Sequence, residues 1–375
     1  MQIYYIFPSL FFPAPCSLLI AHCSLKYPYL CALTPDRMKR ILGMGSALVD
    51  ILIRLKDDTA LEKLGLPKGS MQLVDQARRD AVLAFFAGSD QSLAAGGSAA
   101  NTIHGIGKLG GPAGFIGMTG EDALGESFSL DMADAGVETL LYKSKTATGC
   151  AISLISPDSE RTFATYLGAA SELELDGRRG TEDGGRRTED GRPRMAVDLF
   201  KTYDILHLEG YLVFNQPLTE SAIRLAKECG MMVSLDLASY NVVEANLEFL
   251  QRIIREYVDI VFANEEEAKA FTGKTPEEAL DEIAGMAKYA IVKIGAKGSL
   301  IRHGNEKVPI GTIPVKPVDT TGAGDLYASG FLYGLAAGMS LQNCGELGAV
   351  LAGHVIEVIG PKMTDATWSE IKKIL

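Results

Sequence analysis

The sequence predicts an α/β fold: a three-layer αβα core around a predominantly parallel central sheet, with a small β-sheet lid. Three observations predict it. Apolar runs recur over residues 41–48, 113–117, 205–208, 233–237, 260–263 and 290–294, and short runs of this kind read as strands buried on both faces. Helical periodicities fall between several of them, as over 218–229 and 265–271. Such alternation implies a parallel sheet covered on both sides. Two regions break the rhythm, 50–55 and 151–167, where stretches such as Thr162-Phe163-Ala164-Thr165-Tyr166 alternate like an exposed sheet. The lid is therefore expected from about residues 50–75 and 141–168.

At 375 residues the chain can bury a substantial core. Its net charge of −11 argues against nucleic acid or an anionic membrane as the main partner. Six cysteines occur without a Cys-x-x-Cys pair, so neither a zinc site nor a disulfide framework is read, and a reducing cytoplasm fits. Residues 1–37 carry Lys26 as the one charged side chain before Asp36, and Pro8, Pro13 and Pro15 interrupt their apolar run. No basic residue precedes that run, as a signal peptide requires, and it falls short of the ~20 continuous apolar residues of a membrane span. The reading is a non-native or disordered extension before one domain over 38–375, with Met38 the expected natural start. Inside that domain Gly177-Arg178-Arg179 recurs as Gly185-Arg186-Arg187, and Thr181-Glu182-Asp183-Gly184 as Thr188-Glu189-Asp190-Gly191. This apolar-poor tract, 176–194, reads as a disordered surface insertion.

The chemistry centres on Asp319-Thr320-Thr321-Gly322-Ala323-Gly324-Asp325. Gly322, Ala323 and Gly324 have so little bulk that their N–H groups can approach an anion. Tyr327, Phe331 and Leu335 then follow at helical spacing, which puts the turn at a helix N-terminus, where negative charge is favoured. Asp325 stands at the same point. An acid there would repel a phosphate that is merely bound. It makes sense where it takes a proton from a hydroxyl that then attacks phosphorus. The alternative is an ordinary turn whose Asp caps the next helix.

Other segments leave two readings open. Gly96-Gly97-Ser98-Ala99-Ala100-Asn101 lets backbone approach a polyhydroxylated ligand, or is a glycine turn capped by Ser98. Gly43-Met44-Gly45-Ser46-Ala47-Leu48-Val49-Asp50 places an acid beyond the first strand; Leu48 stands where a dinucleotide fingerprint needs Gly. Asn264 and Glu267 have capping-box spacing. Residues 292–299 suit a hairpin turn. Arg161 reads equally as a solvated surface residue, and Tyr211 as core packing.

The 319–325 string resembles the C-terminal signature of the ribokinase (PfkB) family of carbohydrate and nucleoside kinases. Residues 96–102 and 109–125 resemble its N-terminal signature, and the resemblance covers 38 to about 368 without the insertion. It implies a ribokinase-like core and ATP-dependent transfer to a primary hydroxyl of a ribose-containing or sugar substrate. Asp325 would be the general base, Gly322, Ala323 and Gly324 would supply the anion-binding N–H groups, and Arg161 on the lid would close on the phosphates. Ser46, Asp50, Gly96, Gly97, Ser98 and Asn101 would hold the acceptor, and Tyr211 would face a base. Lys293, Gly295, Gly298 and Thr320 would contact the nucleotide, and Asn264 and Glu267 would organise Mg²⁺. The pattern around Gly43–Asp50 is closest to the adenosine kinase branch, in which Asn usually stands where Ser46 does. Adenosine is thus the expected acceptor, with ribose, fructose or a related sugar as the rival. An inactive ligand-binding relative would have lost Asp325 or a turn glycine, and all are intact. A monovalent-cation requirement and the choice between monomer and homodimer stay open.

Overall fold

In the computed structural model, which describes residues 38–158, 160–175 and 194–375, the apolar runs pair into two sheets. The strands are β1 (Ile41–Met44), β2 (Leu48–Arg54), β3 (Met71–Leu73), β4 (Gln91–Gly96), β5 (Ala113–Gly120), β6 (Glu138–Ser144) and β7 (Thr148–Ile155). After them come β8 (Arg161–Gly168), β9 (Ile205–Glu209), β10 (Met232–Asp236), β11 (Ile260–Asn264), β12 (Tyr289–Lys293), β13 (Ser299–His303) and β14 (Glu306–Ile310). The larger sheet has the order β14-β13-β12-β11-β10-β9-β1-β5-β6, and the smaller one β3-β8-β7-β2-β4. From β12 to β6 all neighbours are parallel. An antiparallel hairpin, β13 and β14, completes one edge. The expected extension over 1–37 and residues 176–193 of the expected insertion lie outside the described residues.

Period-two alternation explains the layering. Leu42, Met44, Leu206, Leu208, Val261 and Ala263 face one core cluster, with side chains of helices Gln216–Glu228, Leu247–Glu256 and Pro276–Ala284. Ile41, Ile205, Ile260 and Phe262 face the other, with helices Ser98–Lys108, Ala323–Ala336 and Leu341–Val355. In the smaller sheet Ile51, Ile53, Cys150, Ile152 and Leu154 pack on Leu61, Leu64 and Val82 of helices Thr59–Leu64 and Gln76–Phe85. Asp50, between Val49 and Ile51, points to the opposite face. No helix among the described residues is long and apolar enough to cross a membrane.

Two expectations are corrected. The run 41–48 is not one strand: β1 ends at Met44 and Leu48 already opens β2 in the other sheet. The break comes where the Ser46 N–H donates to the buried Glu209 carboxylate at 2.9 Å instead of to a ladder partner. The smaller sheet also includes β4, outside the expected lid bounds, whereas residues 141–144 end β6 in the larger sheet. Gln91 and Ser92 open β4 with exposed polar residues, and edge strand β6 is half-buried throughout its middle, so neither shows its sheet in its pattern.

Parallel pairing aligns the carboxyl ends of β9, β10, β11 and β12, which carry Glu209, Asp236, Asn264 and Lys293. Ligands of open α/β sheets bind at such an end. Helix Ala323–Ala336 is fixed below it by Phe331, fully buried with its ring 5.4 Å from that of Phe262. Phe331→Ala is expected to lower the unfolding free energy by about 3–5 kcal/mol in urea denaturation.

Candidate active site

Helix Ala323–Ala336 starts after Gly322, whose φ of 76° is left-handed and on which Pro361 packs so closely that a Cβ would meet it at 2.7 Å. Asp325 lies in its first turn. Its Oδ1 accepts from Ser98 Oγ at 2.7 Å, its Oδ2 from Asn101 Nδ2 at 3.0 Å and its carbonyl from Thr102 Oγ1 at 3.1 Å. Helix Ser98–Lys108 thereby holds the carboxylate from the side. Desolvation raises its pKa to about 7 against those two side-chain hydrogen bonds; Asp236 adds to the rise and Lys293 opposes it. A carboxylate poised there can exchange protons at neutral pH.

The donors expected to grip the acceptor, Ser98 Oγ and Asn101 Nδ2, are thus both on Asp325. What Asn101 keeps is its Oδ1, buried and without a hydrogen-bond partner. The Ala323 N–H, expected to face phosphate, instead donates to the carbonyl of the exposed Thr320 at 3.2 Å. At a helix start the following N–H groups have no intrahelical acceptor, so Gly324 and Asp325 present theirs.

Beneath this turn Lys293 pairs with Asp236 at 2.9 Å, and its Nζ lies 3.0 Å from where a Cβ on Gly324 would stand. A larger residue at 324 would press on that ammonium. Desolvation disfavours the Lys293 charge, yet Asp236 and Glu267 together raise its pKa. The Lys293 side chain belongs to this ion pair, while the nucleotide contact expected of this segment is one of backbone. Gly295 and Gly298 form the β12–β13 connection with φ of 56° and 94°, and the Ile310 carbonyl occupies the space a Cβ on Gly298 would need.

Asn264 and Glu267 form a full capping box: Glu267 N donates to Asn264 Oδ1 at 2.8 Å, while Asn264 N and Nδ2 donate to the two Glu267 oxygens at 2.7 Å. Burial and Asp236 push the Glu267 pKa up. No group of three or more His, Cys, Asp or Glu that could hold a metal occurs among the described residues. With both Glu267 oxygens engaged, these residues fit an ion that keeps its waters and phosphate ligands, the habit of Mg²⁺.

Across the cleft, on β2, the Asp50 carboxylate rests against Gly96 so closely that no Cβ fits there. Gly97, at φ 96°, leaves room for the Ser46 carbonyl. Desolvation raises the Asp50 pKa to about 6, opposed by Lys362 and Arg161. Lys362 contacts Asp131 at 3.2 Å, and Arg161 forms an ion pair with Asp319. Glu209 holds this junction through Ser46 N and Ala99 N, at 2.9 and 3.0 Å. Tyr211 follows in a short 3₁₀ turn, half-buried, its phenol pushed up to about 12 by desolvation.

Asp236, Glu209, Asp319 and Lys362 carry no role in the sequence reading. For the first two a signal existed, since each acid ends an apolar strand. Lys362, in Gly360-Pro361-Lys362, offers none.

The family model for pfkB family carbohydrate kinases matches residues 80–367. The chain belongs to that family. A probable sugar kinase from Rhizobium etli CFN 42 is 34% identical, covers 90% of this chain and 99% of its own, and superposes with a TM-score of 0.77. Adenosine kinase from Sinorhizobium meliloti is 33% identical, with 90% and 100% covered and a TM-score of 0.77. An adenosine kinase from Schizophyllum commune is 28% identical over 86% of this chain and 96% of its own length. The larger and smaller sheets are the ribokinase-like fold of these relatives. PfkB kinases are phosphotransferases acting on hydroxyl groups, and this chain is an enzyme of that class.

The hydrogen bonds from Ser98 and Asn101 keep the Asp325 pKa from rising further. Ser98→Ala should therefore raise it above about 7. The ionised carboxylate would then form only at higher pH, and the acidic limb of the kcat/KM profile should move upward, measured from pH 5.5 to 9.

Proposed function

We propose that this pfkB kinase uses ATP to phosphorylate the primary hydroxyl of a small ribose-containing acceptor, adenosine foremost, giving AMP. One observation carries the reading. Asp325 is hydrogen-bonded to two residues of the same Gly96–Asn101 segment that abuts Asp50. A base and a polyol grip thus share one cleft.

Asp325 would take the proton of the acceptor hydroxyl, whose oxygen forms the new bond to the γ-phosphorus as the bond to the bridging oxygen of ADP breaks. The Gly324 and Asp325 N–H groups favour the charge on the transferred phosphoryl, and each such donor is worth roughly 10²–10³-fold. Asp50 and Asn101 Oδ1 would accept from acceptor hydroxyls. Mg²⁺, held through water by Asn264 and Glu267, would neutralise phosphate charge when bound. The smaller sheet, with Arg161, would cover the site and keep water from competing as acceptor.

The charges favour a neutral acceptor. The two cations beside Asp50 are each paired, Lys362 with Asp131 and Arg161 with Asp319, so no surplus positive charge awaits a sugar acid or sugar phosphate. Tyr211 offers an aromatic face for a base, which favours a nucleoside. The second reading is a neutral sugar, because the Asp50–Asn101 grip would read only hydroxyls.

ADP release with Mg-ATP and adenosine is expected to fall by about 10²–10⁴-fold in kcat for Asp325→Asn, with the adenosine KM within about threefold because the lost proton transfer belongs to the transition state alone. Turnover with ribose or fructose but not adenosine would shift the acceptor to a sugar. No turnover with any of them, from folded protein that binds ATP, would overturn the proposal.

A further inference from the structure

Asp319 opens the signature, yet neither proton transfer nor phosphate binding above uses it. Its side chain is 6% exposed and has three partners from three separate parts of the chain. Oδ1 accepts from Thr321 N at 3.0 Å, inside the turn. Oδ2 accepts from Gly360 N at 2.6 Å, and the adjoining Pro361 is the residue packed on Gly322. Oδ2 also takes the guanidinium of Arg161, from β8 of the smaller sheet. That guanidinium is 9% exposed, with Nη1 3.4 Å from Ser153 Oγ and Nε buried without a partner. It is held by one edge and keeps donors unspent.

We propose that Asp319 is a positioning residue: one carboxylate fixes the shape of the anion-binding turn and places the Arg161 guanidinium beside it. A buried guanidinium has several rotamers to lose and a strong desolvation cost. Left unpaired it would swing away or draw water into the cleft. Paired with Asp319, its position is set by the same group that sets the turn, so the turn and the arginine form as one unit. The inference rests on the kinase reading for what Arg161 does to phosphate, but the linkage between the smaller sheet and the turn stands apart from it.

The test compares full-length wild type, Asp319→Asn, Arg161→Ala and the double variant. Arg161→Ala leaves both backbone hydrogen bonds of Asp319 in place, so it reports on the ion pair even if Asp319→Asn folds poorly. With Mg-ATP and acceptor, each single variant should lose about 10–100-fold in kcat, the scale of a misplaced catalytic group. Acceptor KM should change by less than about threefold, and the double variant should lose little more than either single one. Losses that multiply in the double variant, or kcat within twofold of wild type for either single variant, overturn it. Amide exchange across residues 161–168, measured without any substrate, should accelerate at least threefold in both single variants. Unchanged exchange there overturns the proposal whatever the activity. Wild type inactive on every acceptor, with exchange accelerated in the variants, refutes the kinase reading and leaves the positioning role of Asp319 standing.

Discussion

The arrangement of the whole site hangs on Glu209. It is a buried carboxylate at the carboxyl end of β9, and it spends its two oxygens on the backbone N–H groups of Ser46 and Ala99. Those two groups belong to the passage from the larger to the smaller sheet and to the first turn of helix Ser98–Lys108. Without an acceptor each would be a buried orphan costing about 1–3 kcal/mol. Glu209 therefore decides where β1 stops, where β2 begins, and at what height Ser98 and Asn101 meet Asp325. Burial disfavours its own ionisation and raises its pKa, and those backbone donors offset only part of that rise. Gly45 completes the fit, since a Cβ there would run into the same carboxylate at 2.5 Å.

Around that frame the cleft gathers more acids than bases. Asp50, Asp236, Glu267, Asp319 and Asp325 face Arg161, Lys293 and Lys362. A site so charged would seem hostile to a nucleotide triphosphate. The contradiction eases once the partners are followed. Lys293 is matched to Asp236 and Arg161 to Asp319, leaving Asp325, Asp50 and Glu267 with pKa values raised by desolvation. Their negative charge near neutral pH is therefore conditional. It grows when a cation arrives and shrinks when an anion arrives alone.

Much of this was legible in the sequence, and the reasons for the exceptions are physical. The parallel strands announced themselves because burial on both faces forces continuous apolar runs. The glycine turn and Asp325 were legible because close approach and positive φ narrow the choice of residue so severely. Asn264 and Glu267 were readable as a cap, which is a local rule. What escaped was whatever depends on pairing across long separations. Nothing near Ser98 says that its hydroxyl turns to a carboxylate 227 positions away. Nothing near Lys293 says that its ammonium pairs with Asp236, which lies on another strand. Strands β4 and β6 were misplaced because edge and surface strands carry little alternation. Lys362 stands in a loop with no pattern at all, and only the fold brings it to Asp131.

Among the described residues the polypeptide passes between the two sheets four times: before Leu48, after Gly96, before Thr148 and after Gly168. The ladder registers put all four at one end of the smaller sheet, within one residue of a common rung: Gly96 is opposite Leu48, Leu48 opposite Gly149, and Thr148 opposite Gly168. Three inter-strand spacings make that line about 14 Å long. Two of these passages, residues 45–47 and 145–147, span only three residues each and act as short tethers on the neighbouring strands β2 and β7. Asp50 lies two residues from that tethered end of the sheet, whereas Arg161 opens β8 seven residues away from Gly168. A tilt of the smaller sheet about its tethered end would therefore carry Arg161 much further than Asp50.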